Sequence, residues 1–365
     1  MLLRRLCVAT LLLTACSGGA TDVSPAPVTS ATPTLETTGP SATTTTTTSA
    51  ATEGGRLDVV IPASGLDLVA VVTTPGGAGP FPTVVIVGGS GPVDKEGTAP
   101  GQLNMVFPRP IPVYAELADG LAGLGVASVR YDKRTCVPFN GCADNGYPVP
   151  AADLTFGTFV EDAVAVARWA AGQVTYDPVY VVGHSQGGTV ALLVLDQVDA
   201  VEGVVLLAAP YRDIDDLLSA QAEFSRQYAA SLGMDTARID AAVSPLEDLA
   251  SQVSAIGGGT FDGDTAGGAS VEFWESWLAG SAAARTVMEE TDRPVVAISG
   301  SYDWNILPAE LDLWEANGAS VELLECLTHA FNCVSEPDPT AITPADVGKE
   351  VAGILIERVT AVVAP

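Results

Sequence analysis

Short apolar runs rich in β-branched residues alternate with segments of helical periodicity from residue 56 onward, and this alternation limits the folds open to the chain. The run Thr-Val-Val-Ile-Val at residues 83–87 is typical of a strand that is buried on both faces. Strands that alternate with helices predict an α/β fold with a doubly wound, mostly parallel sheet. In such a sheet the functional site lies at the carboxyl ends of the strands.

The predicted strands lie at residues 57–61, 66–73, 83–87, 126–131, 179–182, 203–208, 294–299 and 321–324. The predicted helices lie at residues 113–124, 159–171, 187–198, 214–232, 238–256, 308–317 and 345–359. The first two strands flank a short turn, and we expect them to pair antiparallel because their residues alternate in the manner of a half-buried strand.

Residues 211–290 interrupt this alternation. They contain no β-run and predict helices with a glycine-rich loop, and an insertion of this length after a strand is well placed to cover a site. We therefore predict an α/β core formed by residues 56–210 and 291–365, with 211–290 as an inserted, mainly helical cap. The aromatic residues of the cap are expected either to line an acyl pocket or to anchor the cap to the core: Phe273, Trp274 and Trp277.

The N-terminus has the features of a targeting segment. Two arginines precede a short apolar run, and the sequence Leu-Thr-Ala-Cys that ends at Cys16 resembles the lipobox of bacterial lipoproteins. We predict a signal peptide at residues 1–15 and a lipid on Cys16; the alternative is an ordinary secretory signal with an incidental cysteine. Residues 16–55, rich in Thr, Ser, Pro and Ala, predict a disordered tether. An exported protein, lipid-anchored to the outer face of the cell membrane, is therefore expected.

The net charge of the chain argues against two classes of binding partner. The sequence has 16 Lys and Arg against 44 Asp and Glu, a net charge of −28. Phosphate backbones select for basic surfaces, so this balance argues against nucleic acid as a partner. It also argues against electrostatic docking to anionic lipid. We expect a monomer that acts on a small-molecule ligand.

The motif Gly183-His184-Ser185-Gln186-Gly187 has the pattern G-x-S-x-G. The pattern alone is common in a glycine-rich chain, but here it follows a predicted strand and opens a predicted helix. That context is the one required of a nucleophile elbow, in which a sharp turn exposes the serine hydroxyl. We predict that Ser185 is a nucleophile; the alternative is a glycine-rich turn with a buried serine.

A serine hydroxyl needs a base to become a nucleophile, and the chain has only two histidines. His184 adjoins Ser185, so its side chain leaves the elbow in another direction, and we expect it to pack beneath the site. His329 follows the last predicted strand and is therefore predicted to be the base.

The base needs a carboxylate that orients it. Asp303 follows the strand predicted at 294–299 and yields the chain order Ser, Asp, His that this architecture uses. Glu310 and Asp312 compete for the role, but both lie within the following helix. We predict Asp303 as the orienting acid; the alternative is an ordinary turn aspartate.

Two backbone N–H groups are needed to bind the developing oxyanion. One is expected from Gln186, directly after the nucleophile. The other is expected from the glycine-rich loop at residues 88–92, where small side chains let the backbone approach a substrate. Ser90 is the predicted donor, with Gly89 and Gly91 as alternatives.

With these motifs the sequence resembles the α/β-hydrolase family, and within it bacterial carboxylesterases. Besides the elbow, the resemblance rests on residues 89–94, on residues 117–125 followed by 129–134, and on residues 298–303, and it spans about residues 57–357. It implies a serine hydrolase that cleaves carboxylic esters through an acyl-enzyme, with no metal or cofactor. A serine peptidase or thioesterase on the same fold remains an alternative, as does a non-catalytic envelope lipoprotein that binds a ligand.

Four cysteines lie downstream of the tether. An exported compartment favours disulfides, and four cysteines allow three pairings. The short separations favour Cys136–Cys142 and Cys326–Cys333, and the second bridge would bracket His329. The alternative, a zinc site that uses Cys326, His329 and Cys333, would consume the base that the nucleophile needs.

Overall fold

The computed structural model of the chain describes residues 54–98, 112–136, 153–333 and 351–364. Cys16, the tether up to residue 53 and Cys142 lie outside these ranges. The lipid anchor, the tether and the partner of Cys136 therefore stay predictions.

The strands are β1 (Gly55–Ala63), β2 (Leu66–Thr74), β3 (Phe81–Val87), β4 (Ala127–Tyr131), β5 (Tyr176–His184), β6 (Val201–Leu207), β7 (Thr265–Ala266), β8 (Ala269–Ser270), β9 (Val295–Gly300) and β10 (Ser320–Leu324). Eight of them form one sheet in the order β1-β2-β4-β3-β5-β6-β9-β10. β2 runs antiparallel to β1 and β4, and the pairs from β4 to β10 are parallel. The predicted doubly wound, mostly parallel sheet is confirmed, as is its antiparallel start.

The helices are α1 (Val113–Gly123), α2 (Phe156–Ala171), α3 (Gln186–Gln197), α4 (Ile214–Ser231), α5 (Thr236–Gly257), α6 (Val271–Glu290), α7 (Glu310–Ala316) and α8 (Gly353–Val363). α2 begins before the predicted residue 159 because Thr155 forms a capping box with Thr158. α8 runs past the predicted end at residue 359, and residues 345–350 of that prediction lie outside the described ranges. None of the helices in the described residues is long and apolar enough to cross a membrane.

Helices cover both faces of the sheet. One hydrophobic cluster packs α2 and α3 against one face, with α6 packed on those two helices, and a second cluster packs α1 and α8 against the other face. Burial on both faces explains why the parallel strands are nearly continuous apolar runs. The carboxyl ends of the parallel strands meet at one edge, so the loops after β3, β4, β5, β9 and β10 converge there.

The segment at 211–290 lies between β6 and β9 and holds α4, α5, α6 and the small β7–β8 hairpin. The hairpin corrects the expectation that no strand occurs in this segment. α6 was not among the predicted helices, although Ser270 caps it by accepting a hydrogen bond from the Phe273 N–H at 3.2 Å. α4 and α5 pack against each other, whereas α6 packs against α2 and α3 of the core.

The aromatic residues of α6 are buried against α2. Trp277 is only 4% exposed, and its ring stacks on that of Phe156 with centroids 5.7 Å apart. Trp274 stacks on Trp277 at 5.8 Å, and Phe273 meets Phe159 of α2 edge-on at 6.3 Å. Of the two roles expected for these residues, the packing favours the anchor.

Trp277→Ala is therefore expected to lower the free energy of unfolding by about 3–5 kcal/mol, because it removes a buried ring and leaves a cavity. Preference among acyl chain lengths should not change. Urea denaturation and relative kcat/KM across an ester series measure the two effects. Trp169→Ala, at a half-buried tryptophan of α2, is the control and should lose less. Unchanged stability with a shifted chain-length preference would instead assign Trp277 to an acyl pocket.

Candidate active site

Ser185 occupies the sharp turn between β5 and α3. Its backbone has φ 53° and ψ −124°, a conformation that is strained for a residue with a side chain. The turn is held by two hydrogen bonds: the Ser185 N–H donates to Leu207 O at 2.9 Å, and the Gly188 N–H donates to Ser185 O at 2.9 Å. This is the predicted strand–turn–helix geometry around Ser185.

The glycines of the motif are required by close backbone contacts. A Cβ on Gly183 would collide with the carbonyl oxygen of Gly187. A Cβ on Gly187 would collide with the carbonyl oxygen of Val87, at the end of β3. Because backbone rather than flexible side chains fills this space, a larger residue at either position would displace the turn that carries Ser185.

His329 and Asp303 are brought together from the loops after β10 and β9. Nδ1 of His329 lies 2.8 Å from Oδ2 of Asp303, which is only 1% exposed. The other carboxylate oxygen of Asp303 accepts from the N–H groups of Asn305 at 2.9 Å and Ile306 at 2.8 Å. A carboxylate oxygen accepts a proton, so the network assigns hydrogen to Nδ1 and leaves Nε2 of His329 as a proton acceptor.

The loop that carries His329 is closed by the predicted disulfide between Cys326 and Cys333, whose Cα atoms are 4.8 Å apart. With both sulfurs bonded to each other, the alternative of a zinc site on this loop loses its thiolate ligands. Cys136 is also disulfide-bonded, and its predicted partner Cys142 lies outside the described residues. Inside the loop, the Thr328 hydroxyl lies 2.5 Å from Oδ1 of Asn332.

His184 is buried beneath the site, as predicted. The ring of His329 lies 4.6 Å from the ring of His184, so the His329–Asp303 pair sits beside the residue that precedes Ser185. The Tyr114 hydroxyl accepts from the Gly89 N–H at 3.0 Å and lies 2.8 Å from Nδ1 of His184, within hydrogen-bond distance. Burial, and then the charge of His329, lowers the pKa of His184 well below its ordinary value. His184 is therefore neutral, so it places no positive charge beside the imidazole of His329.

The two competing carboxylates lie elsewhere. Glu310 is buried, accepts from the N–H groups of Tyr211 at 2.8 Å and Arg212 at 3.2 Å, and pairs with the Arg212 guanidinium at 3.0 Å. Asp312 is exposed on α7. Neither contacts His329 among the interactions of the described residues, so Asp303 is the carboxylate that meets the histidine.

The predicted oxyanion loop passes over the elbow. A Cβ on Gly89 would lie 3.3 Å from the Cβ of Ser185. The N–H of Gly89 is already bonded to Tyr114, which disfavours Gly89 as the oxyanion donor. Within the part of the chain that the structure describes, the N–H groups of Ser90 and Gln186 donate to no protein acceptor. Both predicted donors are therefore free to bind an oxyanion.

Tyr114 and Lys133 are site residues that the sequence analysis missed. Tyr114 lies on α1 and supports both Gly89 and His184. Lys133 follows β4, and its Nζ donates to Gly89 O at 2.7 Å and to Oε1 of Gln186 at 2.5 Å. The available signal for Lys133 was its position directly after a strand that ends at the functional edge of the sheet.

A buried ion pair fixes the segment that carries Lys133. Arg134 Nε lies 2.6 Å from Oδ2 of Asp162 on α2, and its Nη2 lies 2.7 Å from Oδ1. Nη2 also donates to the carbonyl oxygen of Ser64 at 2.6 Å. This bidentate geometry ties the loop after β4 to α2 and to the β1–β2 turn.

Comparison with known proteins places these residues in a family context. A family model described as Serine aminopeptidase, S33 matches residues 111–329, which is more than half of the chain and includes Ser185, Asp303 and His329. Esterase EstD of Thermotoga maritima is 31% identical over 179 residues, which make up 49% of this chain and 38% of that protein. The chain thus matches well under half the length of that curated relative.

Solved esterase structures resemble the fold. An esterase of Pyrobaculum calidifontis superposes with a TM-score of 0.50 at 16% identity, and the match covers 86% of each chain. Est1E of Butyrivibrio proteoclasticus superposes with a TM-score of 0.48 at 15% identity, covering 83% of this chain and 99% of that one. At such identity the likeness to the Pyrobaculum enzyme shows the fold alone.

Proposed function

Because the chain belongs to the serine aminopeptidase S33 family of α/β hydrolases, we propose that it is a serine hydrolase that cleaves carboxylic esters. The observation that carries the proposal is the 2.8 Å contact of His329 Nδ1 with the buried Asp303 carboxylate. This pair lies beside an elbow that holds Ser185 at φ 53°. The similarity to Esterase EstD supports esters rather than amides as substrates.

In the proposed cycle, Nε2 of His329 accepts the proton of Ser185 while the serine oxygen attacks the ester carbonyl. The N–H groups of Gln186 and Ser90 bind the oxyanion, and Asp303 stabilises the imidazolium. His329 then protonates the leaving alcohol, which leaves an acyl-enzyme on Ser185. A water molecule, deprotonated by the same histidine, releases the acid. Side chains and backbone N–H groups supply every group in this cycle, so we propose no metal or cofactor.

A serine peptidase is the second candidate, because the description of the matching family is that of an aminopeptidase. Both activities use the same nucleophile and oxyanion donors, so they differ in the bond that the substrate offers. A pair of substrates that share one acyl group distinguishes the two candidates. One substrate is an ester and the other is an anilide.

A fluorophosphonate probe and a matched substrate series test the proposal. We expect one probe per chain on Ser185, cleavage of p-nitrophenyl esters, and no measurable cleavage of p-nitroanilides that carry the same acyl or aminoacyl group. Cleavage of these anilides would favour the peptidase. Absence of labelling and turnover on folded protein would contradict both candidates and favour a binding lipoprotein. An acyl series from acetyl to palmitoyl then defines the preferred chain length.

We also propose that the enzyme is exported and anchored to the outer face of the cell membrane through a lipid on Cys16. The support is the Leu-Thr-Ala-Cys sequence that follows the arginines and apolar run of the N-terminus. A tether of the composition found at residues 16–55 would let the folded domain stand off the membrane.

Cys16→Ser is expected to abolish membrane association, because the acceptor thiol of the lipid is lost. The variant should appear in the medium or remain as uncleaved precursor. Fractionation and mass spectrometry of the N-terminus measure this, with a diacylglycerol-modified Cys16 expected in the parent. Cys7→Ser, within the apolar run of the signal peptide, is the matched control and should keep the anchor. A mature N-terminus at another residue would contradict the anchor.

A further inference from the structure

Lys133 is a charged residue next to the elbow that the proposed catalytic cycle does not use. It follows β4 at the carboxyl edge of the sheet and is only 8% exposed. Burial of an ammonium group is unfavourable unless hydrogen bonds replace its hydration. The groups that surround its Nζ therefore indicate the role of the charge.

The ammonium group contacts three different elements. Nζ donates to the carbonyl oxygen of Gly89 at 2.7 Å, in the loop after β3, and to Oε1 of Gln186 at 2.5 Å, at the start of α3. It also lies 4.2 Å from the ring centre of Phe159 on α2, which is a cation–π distance. One cation thus bridges the oxyanion loop and the elbow.

The carbonyl of Gly89 belongs to the same peptide group as the N–H of Ser90, the proposed oxyanion donor. A peptide group is planar and trans, so its C=O and N–H point in opposite directions. The hydrogen bond from Lys133 to the oxygen therefore sets the direction of the Ser90 N–H. The positive charge also polarises the amide, which strengthens the N–H as a donor.

The peptide group on the other side of Gly89 is held as well. The Gly89 N–H donates to the Tyr114 hydroxyl at 3.0 Å, and burial raises the pKa of Tyr114, so this hydroxyl keeps its proton. Lys133 thus holds the peptide group that carries the Ser90 N–H.

Gln186 carries the other proposed donor on its backbone N–H, and its side chain is held by the same ammonium group. The residue is 3% exposed, so water does not replace that contact. We propose that Lys133 is a positioning residue that holds both oxyanion donors in place, through the Gly89 carbonyl and the Gln186 side chain. The inference rests on the proposed function, because an oxyanion hole acts only if Ser185 attacks a carbonyl.

This role affects the transition state more than the bound substrate, because the oxyanion forms only during the attack. Loss of the ammonium group should therefore lower kcat and leave KM nearly unchanged. The same loss should weaken a trifluoromethyl ketone, which forms a tetrahedral adduct with the serine that resembles the transition state. Loss of a residue that only stabilises the fold would lower the folded fraction. It would not change kcat per folded molecule or the affinity of the folded protein for the ketone.

Lys133→Met tests the inference, because methionine keeps the apolar stem and removes the charge and the donors. We expect kcat for p-nitrophenyl butyrate and affinity for the ketone to fall by about 10–100-fold, with KM within about 3-fold of the parent. Lys133→Arg, which restores the charge, should recover part of the loss. Lys95→Met is the matched control: Lys95 pairs with Asp132 at 3.3 Å on a neighbouring loop, and its kcat should stay within about 2-fold.

A folded Lys133→Met protein with kcat and ketone affinity within about 3-fold of the parent would overturn the inference. An equal loss in Lys95→Met would also overturn it. If Lys133→Met does not fold, Gln186→Leu decides, since it removes one partner of the ammonium group and keeps the backbone donor. A fall of kcat by about 5-fold or more supports the inference, and a smaller change contradicts it. Failure of the proposed function is separate, because the parent itself would then neither cleave the ester nor react with the fluorophosphonate.

Discussion

Ser185→Ala is expected to lower kcat for ester hydrolysis by about 10⁴-fold or more, because the attacking oxygen is lost. Stability should hardly change, since alanine keeps the Cβ and so has the same backbone strain at φ 53°. His329→Ala should cause a comparable loss through removal of the base. Steady-state kinetics on p-nitrophenyl esters and thermal unfolding measure both effects. Retention of more than about 1% of kcat by either variant would contradict the assigned roles.

His184→Ala is the matched control for the histidine. His184 bonds Tyr114 and packs on His329 and Phe331, so its loss should act through packing and lower stability. We expect a milder fall in kcat than in His329→Ala. Equal losses at the two histidines would undermine the assignment of the base.

Asp303→Asn is expected to lower kcat by about 10⁴-fold, and the reason is the tautomer of His329. Oδ1 of Asp303 accepts from two backbone N–H groups, so the amide oxygen of asparagine would take that position. Its NH₂ group would then face Nδ1 of His329 and donate to it. Nδ1 would become an acceptor and Nε2 would carry the hydrogen, so the histidine could not take a proton from Ser185.

Two substitutions of competing carboxylates control for this result. Glu310→Gln should lower stability, because Glu310 is buried against Arg212 and the backbone of Tyr211, and should spare kcat. Asp312→Asn, on the exposed side of α7, should change neither. A loss of kcat in Glu310→Gln as large as in Asp303→Asn, with both proteins folded, would contradict the assignment of the acid.

Most elements were predictable from the sequence because their signals are local. A β-branched run such as residues 83–87 specifies a doubly buried strand without reference to its neighbours. The geometry around Ser185 was predictable for a similar reason. Gly183 and Gly187 lie where a Cβ would collide with backbone atoms, so the presence of both glycines in the motif indicates the turn.

α6 and the β7–β8 hairpin were missed because their stability comes from distant residues. The aromatic face of α6 is buried by Phe156 and Phe159, more than a hundred positions earlier in the chain. Its central stretch is rich in alanine and glycine, so the apolar periodicity is weak. The choice between an acyl pocket and an anchor for Trp277 likewise depended on what packs against the ring.

The sequence by itself determined the α/β class and the strand that precedes Ser185, because backbone sterics and the hydrophobic period act over a few residues. Only the tertiary structure decided that Asp303, not Glu310, contacts His329. The two carboxylates are close in sequence, and only their hydrogen-bond partners in the fold distinguish them. The tertiary structure also decided which groups Lys133 contacts. Lys133 lies 44 positions after Gly89 and 53 positions before Gln186, so no local pattern distinguishes a lysine buried between the loops after β3, β4 and β5 from one in solvent.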